Sequence, residues 1–163
     1  MNEQELIGNY GIVFDAKPDS VPYNYRISYK VSQICVIIAK SSRGKSGCSL
    51  VKLHMISFAL CSKDTMDKLL DFAETDLAPP PMVRFDPAVN RAVSFAVADS
   101  LIVQLRTGKY VLSDKGNKLV DEIEKDSTIL TAEKSYLSLL AKKLTEAKIE
   151  RLSEVWRSTY AED

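Results

Sequence analysis

Between Asp86 and Ile123 the spacing of apolar residues changes period twice, and this switch constrains the fold more than any other feature of the chain. Asp86 followed by Pro87 is a helix start: a carboxylate at the N-cap, then a proline at the first helical position, where a missing N–H costs nothing. Val89, Ala92, Val93 and Ala96 then recur at helical spacing to about Ala98. From Leu101 the period falls to two. Leu101, Val103 and Leu105 alternate with Ile102, Gln104 and Arg106, a Thr107–Gly108 pair supplies a tight turn, and Tyr110 and Leu112 alternate back. This predicts a β-hairpin. Ser113 then caps another helix through Leu119, Val120 and Ile123, which fades in the polar stretch 124–127.

Upstream, residues 1–22 carry Gly8, Gly11, Pro18 and Pro22 with little periodicity and read as an irregular lead-in, with a short extended piece at 11–14. Ile27, Val31, Ile34, Cys35 and Ile38 line one face of a helix over about 23–40, which SSRGKSG (41–47) ends. The helix after Ser49 is apolar nearly all the way round and is expected to be the centre of the core. Asp64 is the expected N-cap of a short helix carrying Met66, Leu69, Leu70 and Phe72, before Pro79, Pro80 and Pro81 force an extended loop. Two further helices close the chain, one with Tyr136, Leu137 and Leu140, the other capped by Thr145 and presenting Ile149, Leu152, Val155 and Trp156. Helices, a helix running straight into a hairpin, then another helix, is the order of a winged-helix domain. The run VNRAVSFAVADSLIVQLRTGKYVLSDKGNKLVDEI resembles the ending of many such domains, with the phrase Y-x-L-(S/T)-x-x-G at Tyr110, Leu112, Ser113 and Gly116. The expected fold is therefore mainly α with a small β-hairpin wing (α+β): a winged-helix-like domain over 23–127 and a C-terminal helical extension over 128–163 packing on it.

Composition narrows the function. At 163 residues the chain is sized for one domain, and 45% hydrophobic with 27% charged residues fits an ordinary folded protein rather than a disordered or disulfide-built one. Lys plus Arg (22) equals Asp plus Glu (22), so no global field recruits nucleic acid or an anionic membrane, and electrostatic binding must come from a local patch. Cys35, Cys48 and Cys61 form neither a CxxC pair nor an even set, which points to reduced thiols and a cytoplasmic location. The opening MNEQELIGNYGIVF has no cationic segment, and no apolar run nears the roughly 18 to 20 residues of a membrane span. Neither a signal peptide nor a membrane partner is expected.

Candidate chemistry thins out on inspection. Gly44, Lys45 and Ser46 imitate the end of a P-loop, but the spacing would need glycine where Ala39 stands, and a strand where the pattern is helical. His54, the only histidine, lies in the most apolar helix and reads as a core or edge residue rather than a ligand. Cys48 has no base beside it, while Cys35 and Cys61 read as small core filler. The pairs Glu122 with Asp126 and Glu146 with Glu150 fall on polar helix faces. No catalytic residue, metal ligand or cofactor site is expected.

One charge asymmetry remains. Between Ser20 and Lys63 there is no Asp or Glu, while Arg26, Lys30, Lys40, Arg43, Lys45, Lys52 and Lys63 are all positive; 64–126 then holds twelve acids against eight bases. Arg26, Lys30 and Gln33 are placed opposite the apolar stripe of the first helix, and Lys40, Arg43 and Lys45 crowd its end. They make either one basic surface for a partner or DNA phosphates, or a solvated helix face and loop. Arg106 and Lys109 flank the wing turn within reach of phosphates. The third helix, which would enter a major groove, offers only Asn90 and Arg91, so sequence-specific DNA reading is not expected.

The runs YRISYKVSQICVIIAKSSRGKSGCSLVKLHMISFAL and VRFDPAVNRAVSFAVADSLIVQLRTGKYVLSDKGNKLVDEI, closing with LTEAKIERLSEVW, resemble the small middle subunit of bacterial three-component ABC-ATPase systems, the group that includes Lamassu-type anti-phage defence. The resemblance covers about 23–158. It is carried by a basic loop before S-L-x-K-L-H, by D-P-x-x-N-R-A at 86–92, and by the final T-E-x-x-I-x-x-L-x-x-W. It implies a non-enzymatic adaptor that joins an SMC-like ATPase to an effector subunit, often a nuclease, and it transfers no catalytic residue. The alternative is a winged-helix transcriptional regulator.

Overall fold

The computed structural model describes residues 26–160, so the lead-in at 1–22 and the first residues of the expected helix at 23–40 lie outside the described residues. Seven α-helices occupy this span: α1 (Ile27–Ser41), α2 (Leu50–Ala59), α3 (Lys63–Glu74), α4 (Pro87–Ala98), α5 (Asp114–Lys125), α6 (Thr131–Leu140) and α7 (Glu146–Tyr160). One antiparallel hairpin, β1 (Ile102–Gln104) with β2 (Tyr110–Leu112), stands between α4 and α5. The fold is mainly α with a small β wing. Among the described residues no helix is long and apolar enough to cross a membrane.

Helix α1 is the hub. It packs against α2, α4, α5, α6 and β2, and Ile34, Cys35, Val36, Ile37 and Ile38 are buried in succession, more than a turn enclosed on every side. Helix α2 is buried almost all round, as its apolar run predicts, but the centre of the core is α1. The same core continues through Leu53 and Ile56 of α2 to Leu137, Leu140, Leu144 and Leu152. Each such side chain contributes about 1.5–3 kcal/mol by leaving water.

Local signals set most element boundaries. Ser49 accepts the N–H of Lys52, Asp86 that of Ala88, and Ser113 that of Gly116. Helix α3 begins earlier than expected, because the Ser62 hydroxyl takes the N–H of Thr65 and leaves Asp64 inside the first turn. Val155, expected on the buried face of α7, is exposed.

The junction of α4 with the wing explains both the strand register and the Y-x-L-S-x-x-G phrase. Helix α4 closes with the N–H of Leu101 on the Ala96 carbonyl (2.8 Å) and that of Ser100 on Val97 (3.0 Å), with Ser100 in the left-handed region at φ 56°. This tight stop buries both Leu101 and Ile102 and turns Val103 outward, so the inward face of β1 starts at Ile102 rather than Leu101. The pairs are Ile102 with Leu112, Val103 with Val111 and Gln104 with Tyr110. At the tip, Gly108 (φ 80°) donates to Leu105 (2.9 Å), and Leu105 donates to Lys109 (2.8 Å), a three-residue loop whose last position needs glycine. Ser113 donates its hydroxyl to the Ser100 carbonyl (2.6 Å) while capping α5. Gly116 is indispensable there: a Cβ on it would stand 2.1 Å from the Leu101 carbonyl oxygen.

A third strand is reduced to one residue. Cys48 exchanges two backbone hydrogen bonds with Tyr110, of 2.8 and 2.9 Å, and so ties the loop after α1 to the wing. Element order is thus that of a winged-helix domain with α3 inserted between its second and third helices.

Candidate functional site

The cations expected to contact a partner or DNA phosphates do not form one surface. Arg26 lies at the N-terminal end of α1, beside a cleft it shares with Tyr29 and Glu133. Lys30 and Gln33, placed by their polarity on the solvent side of α1, are each only 2% exposed. The physical reason is that α1 is enclosed on nearly all sides, so its polar side is buried along with its apolar one. Lys30 therefore offers no surface contact. Lys40 is tied to Glu124 at 3.4 Å. Arg43 and Lys109 meet at one cleft, Lys45 lines its neighbour, and Arg106 is exposed at the wing tip.

Lys30 is the centre of a closed polar network. Its ammonium donates to the Ser57 hydroxyl (2.9 Å) and to the Gln33 side-chain Oε1 (3.3 Å), with Asp86 at 3.9 Å; Ser57 in turn donates to the same Gln33 Oε1 (3.0 Å). Gln33 donates to the Tyr29 hydroxyl (3.2 Å), and that hydroxyl donates to Glu133. Burial pulls the Lys30 ammonium below its ordinary value, and Asp86 partly opposes the shift. A serine hydroxyl beside a lysine of lowered pKa is the pairing of a nucleophile with its base. Here both groups are buried and saturated by partners, and the network holds α1, α2 and the start of α4 together. His54 extends it: its Nδ1 accepts the N–H of Asp86 (3.2 Å), its Nε2 donates to the Asn90 side-chain oxygen (2.9 Å), and its ring packs on Phe85. His54 is a core residue, as expected, and it occupies Asn90, one of the two residues of α4, with Arg91, expected to be available for reading bases.

The other buried lysine opens onto the surface. Lys52 donates to the Ser41 carbonyl (2.6 Å) and stands 3.9 Å from Glu146, whose carboxylate also accepts the N–H of Ser49 (3.0 Å). The second carboxylate oxygen of Glu146 is buried without a hydrogen-bond partner. Around this pair lies a cleft of about 160 Å³ lined by Arg43, Lys109 and Lys142 as well as Lys52. Lys109 reaches Glu150 at 3.6 Å; among the described residues Arg43 and Lys142 have no ion-pair partner. Burial lowers the Lys52 pKa, Arg43 and Lys109 lower it further, and Cys48 and Glu146 oppose them.

Four separate stretches of chain build this cleft. The left-handed Gly47 (φ 76°) brings the 41–48 loop against the wing: a Cβ there would lie 3.0 Å from the Lys109 Cβ and 3.1 Å from the Tyr110 carbonyl oxygen. The wing supplies Lys109, the turn before α7 supplies Lys142, and Thr145 caps α7 so that Glu146 points back to Ser49. The sequence singles out Arg43 and Lys109 as contacts; it places Lys52 in the acid-free basic run without assigning it to a surface, and it does not single out Lys142. The doublet Lys142–Lys143 before the Thr145 cap was the one available signal. Glu146, expected on a polar helix face, is half-enclosed, because its helix starts against Ser49. Beside the cleft, a larger one of about 560 Å³ runs between the end of α1 and the wing, with Gly44, Lys45, Leu105 and Asn117 on its walls.

Cys48 offers no nucleophile. It is fully buried, and burial pushes its thiol up to about 12, so it stays protonated at neutral pH. The Gly44–Ser46 segment is a 3-10 turn following a helix, not the strand-to-helix loop that cradles phosphates in a P-loop. Among the described residues no group of three or more His, Cys, Asp or Glu could hold a metal ion. No family model, curated protein or solved structure matches the chain.

Proposed function

We propose that this chain is a non-enzymatic adaptor of winged-helix type. The carrying observation is the outer face of α4. In a DNA-reading domain that face bears several donors and acceptors for base edges, whereas here the solvent side of α4 carries Phe95, exposed at 55%, beside Arg91 and Ser94, Val97 is exposed on the opposite flank, and the adjoining β1 exposes Val103. Asn90 is engaged by His54, which leaves Arg91 as the one cation on that side of α4. Exposed aromatic and aliphatic side chains on a rigid helix suit a protein partner. The sequence resemblance supports one partner, an SMC-like ABC ATPase of a cytoplasmic anti-phage or anti-plasmid defence complex, which the adaptor would link to an effector nuclease.

The test is co-purification of the tagged chain with the products of its neighbouring genes, with and without duplex DNA. A stable complex with an SMC-like ATPase, lost in Phe95→Glu while the melting curve is unchanged, is the expected result. A chain that stays alone refutes it. The regulator reading is favoured by one observation, the basic cleft beside the wing, and predicts a sequence-selective shift on promoter DNA.

A further inference from the structure

The cleft at Lys52 holds more positive charge than its own carboxylates neutralise. Glu146 lies against Lys52 and Glu150 against Lys109, so Arg43 and Lys142 remain as surplus cations in a chain of zero formal charge. Two cations that have no ion-pair partner among the described residues, lining one concave site with a buried ammonium at its floor, repel each other unless an anion joins them. At about 160 Å³ the cleft is smaller than the roughly 300 Å³ at which pockets for whole small molecules begin, so it accepts one group of a ligand. Both surplus side chains stand beside backbone whose geometry is fixed, Arg43 by the Gly47 contact with the wing and Lys142 by the Thr145 cap.

We propose that this cleft is an oxyanion site that binds a single phosphoryl group through Arg43, Lys142 and Lys109 above Lys52. Arg43 offers a planar fork matched to two oxygens, and the lysines offer point charges, the usual division of labour on phosphate. Glu146 holds the Lys52 ammonium against Ser41 and sets the depth of the site. The phosphoryl group belongs either to a nucleic acid backbone or to a free phosphate compound. The inference does not rest on the adaptor reading, and failure to co-purify with an ATPase would leave it standing.

The test uses the full chain and two probes, inorganic phosphate and a short DNA duplex, with sodium acetate at matched ionic strength as the control. Amide resonances of Gly47 and Thr145 are expected to move with one of the probes and not with acetate. Movement with phosphate alone assigns the site to a free phosphate compound. Movement with the duplex, with log affinity falling linearly in log salt, assigns it to a nucleic acid backbone. Arg43→Glu and Lys142→Glu should each weaken binding at least tenfold, the loss of one charge-assisted hydrogen bond. Lys63→Glu, beyond the far end of α2, which runs about 10 Å on from Lys52 by helix rise, should not. Circular dichroism melts of all three variants establish that they are folded. The proposal is overturned if neither probe moves Gly47 and Thr145, if acetate moves them equally, or if the two reversals bind as the parent does.

Discussion

Lys30 and Lys52 are both 2% exposed, yet their surroundings differ in kind. Lys30 sits among side chains that pair with one another as well as with it, so its charge is satisfied inside the protein and the network is finished. Lys52 has one carbonyl and one distant carboxylate, a carboxylate oxygen without a partner beside it, and two cations left over at the mouth of its cleft. Burial alone therefore does not separate a structural lysine from a binding one; closure of the hydrogen-bond network does.

The contrast can be broken from the closed side first. Replacing both acceptors of Lys30, in Gln33→Leu with Ser57→Ala, leaves an ammonium buried with Asp86 alone, and should cost about 3–5 kcal/mol in urea unfolding. A loss under 1 kcal/mol would show that water reaches Lys30 and that the network is not closed. The next effect appears at alkaline pH and sharpens the open side, because Cys48 adjoins Lys52. An unfolded thiol loses its proton near 9.0, whereas burial holds Cys35 and Cys48 protonated to about 11 and about 12. Between those values the unfolded chain binds fewer protons than the folded one, so stability falls as pH rises. Lys30 and Lys52, whose pKa values are lowered by folding, act in the opposite sense in the window below 10.5, where the unfolded state binds more protons. Cys48→Ala should flatten the decline above pH 9 by about 1.4 kcal/mol per pH unit, read from urea midpoints. An unchanged slope would mean that the thiol ionises in the folded state. Smallest is Glu146→Gln, which removes the counter-charge of Lys52 but keeps an oxygen for Ser49. An open cleft can rehydrate, so the expected loss is about 1 kcal/mol, with tighter phosphate binding; a cost as large as at Lys30 would erase the distinction.

What the sequence made legible was whatever is decided within a few residues. Ser49, Asp86 and Ser113 cap helices because each needs only the next turn's N–H groups, and the wing follows from an alternation ended by Gly108. The Ser62 cap escaped notice because Asp64, two positions on, offers an equally good acceptor, and only the chain's path selects between them. The burial of Lys30 and Gln33 was hidden for another reason: their helix is covered by α2, α4 and α6 together, and a covering helix leaves no trace in the period of the one it covers. The basic cleft was half visible. Arg43 and Lys109 stood out as loop and wing cations, but Lys142 and Glu146 join them only through chain closure, since Ser49 and Glu146 are 97 positions apart.

That closure also bears on how the molecule assembles. The hairpin, the caps and α4 form from neighbours, whereas the Cys48–Tyr110 bridge must close a loop of 62 residues, from 48 to 110, and the Ser49–Glu146 contact one of 97. The entropy of such closures delays non-local contacts until local structure exists to hold them. The cleft is accordingly among the last parts to be made, and an anion seated in it binds the completed fold and no partly folded form. Such a ligand would raise the apparent stability in proportion to the logarithm of its concentration, and so serve as a check that every long loop had closed correctly.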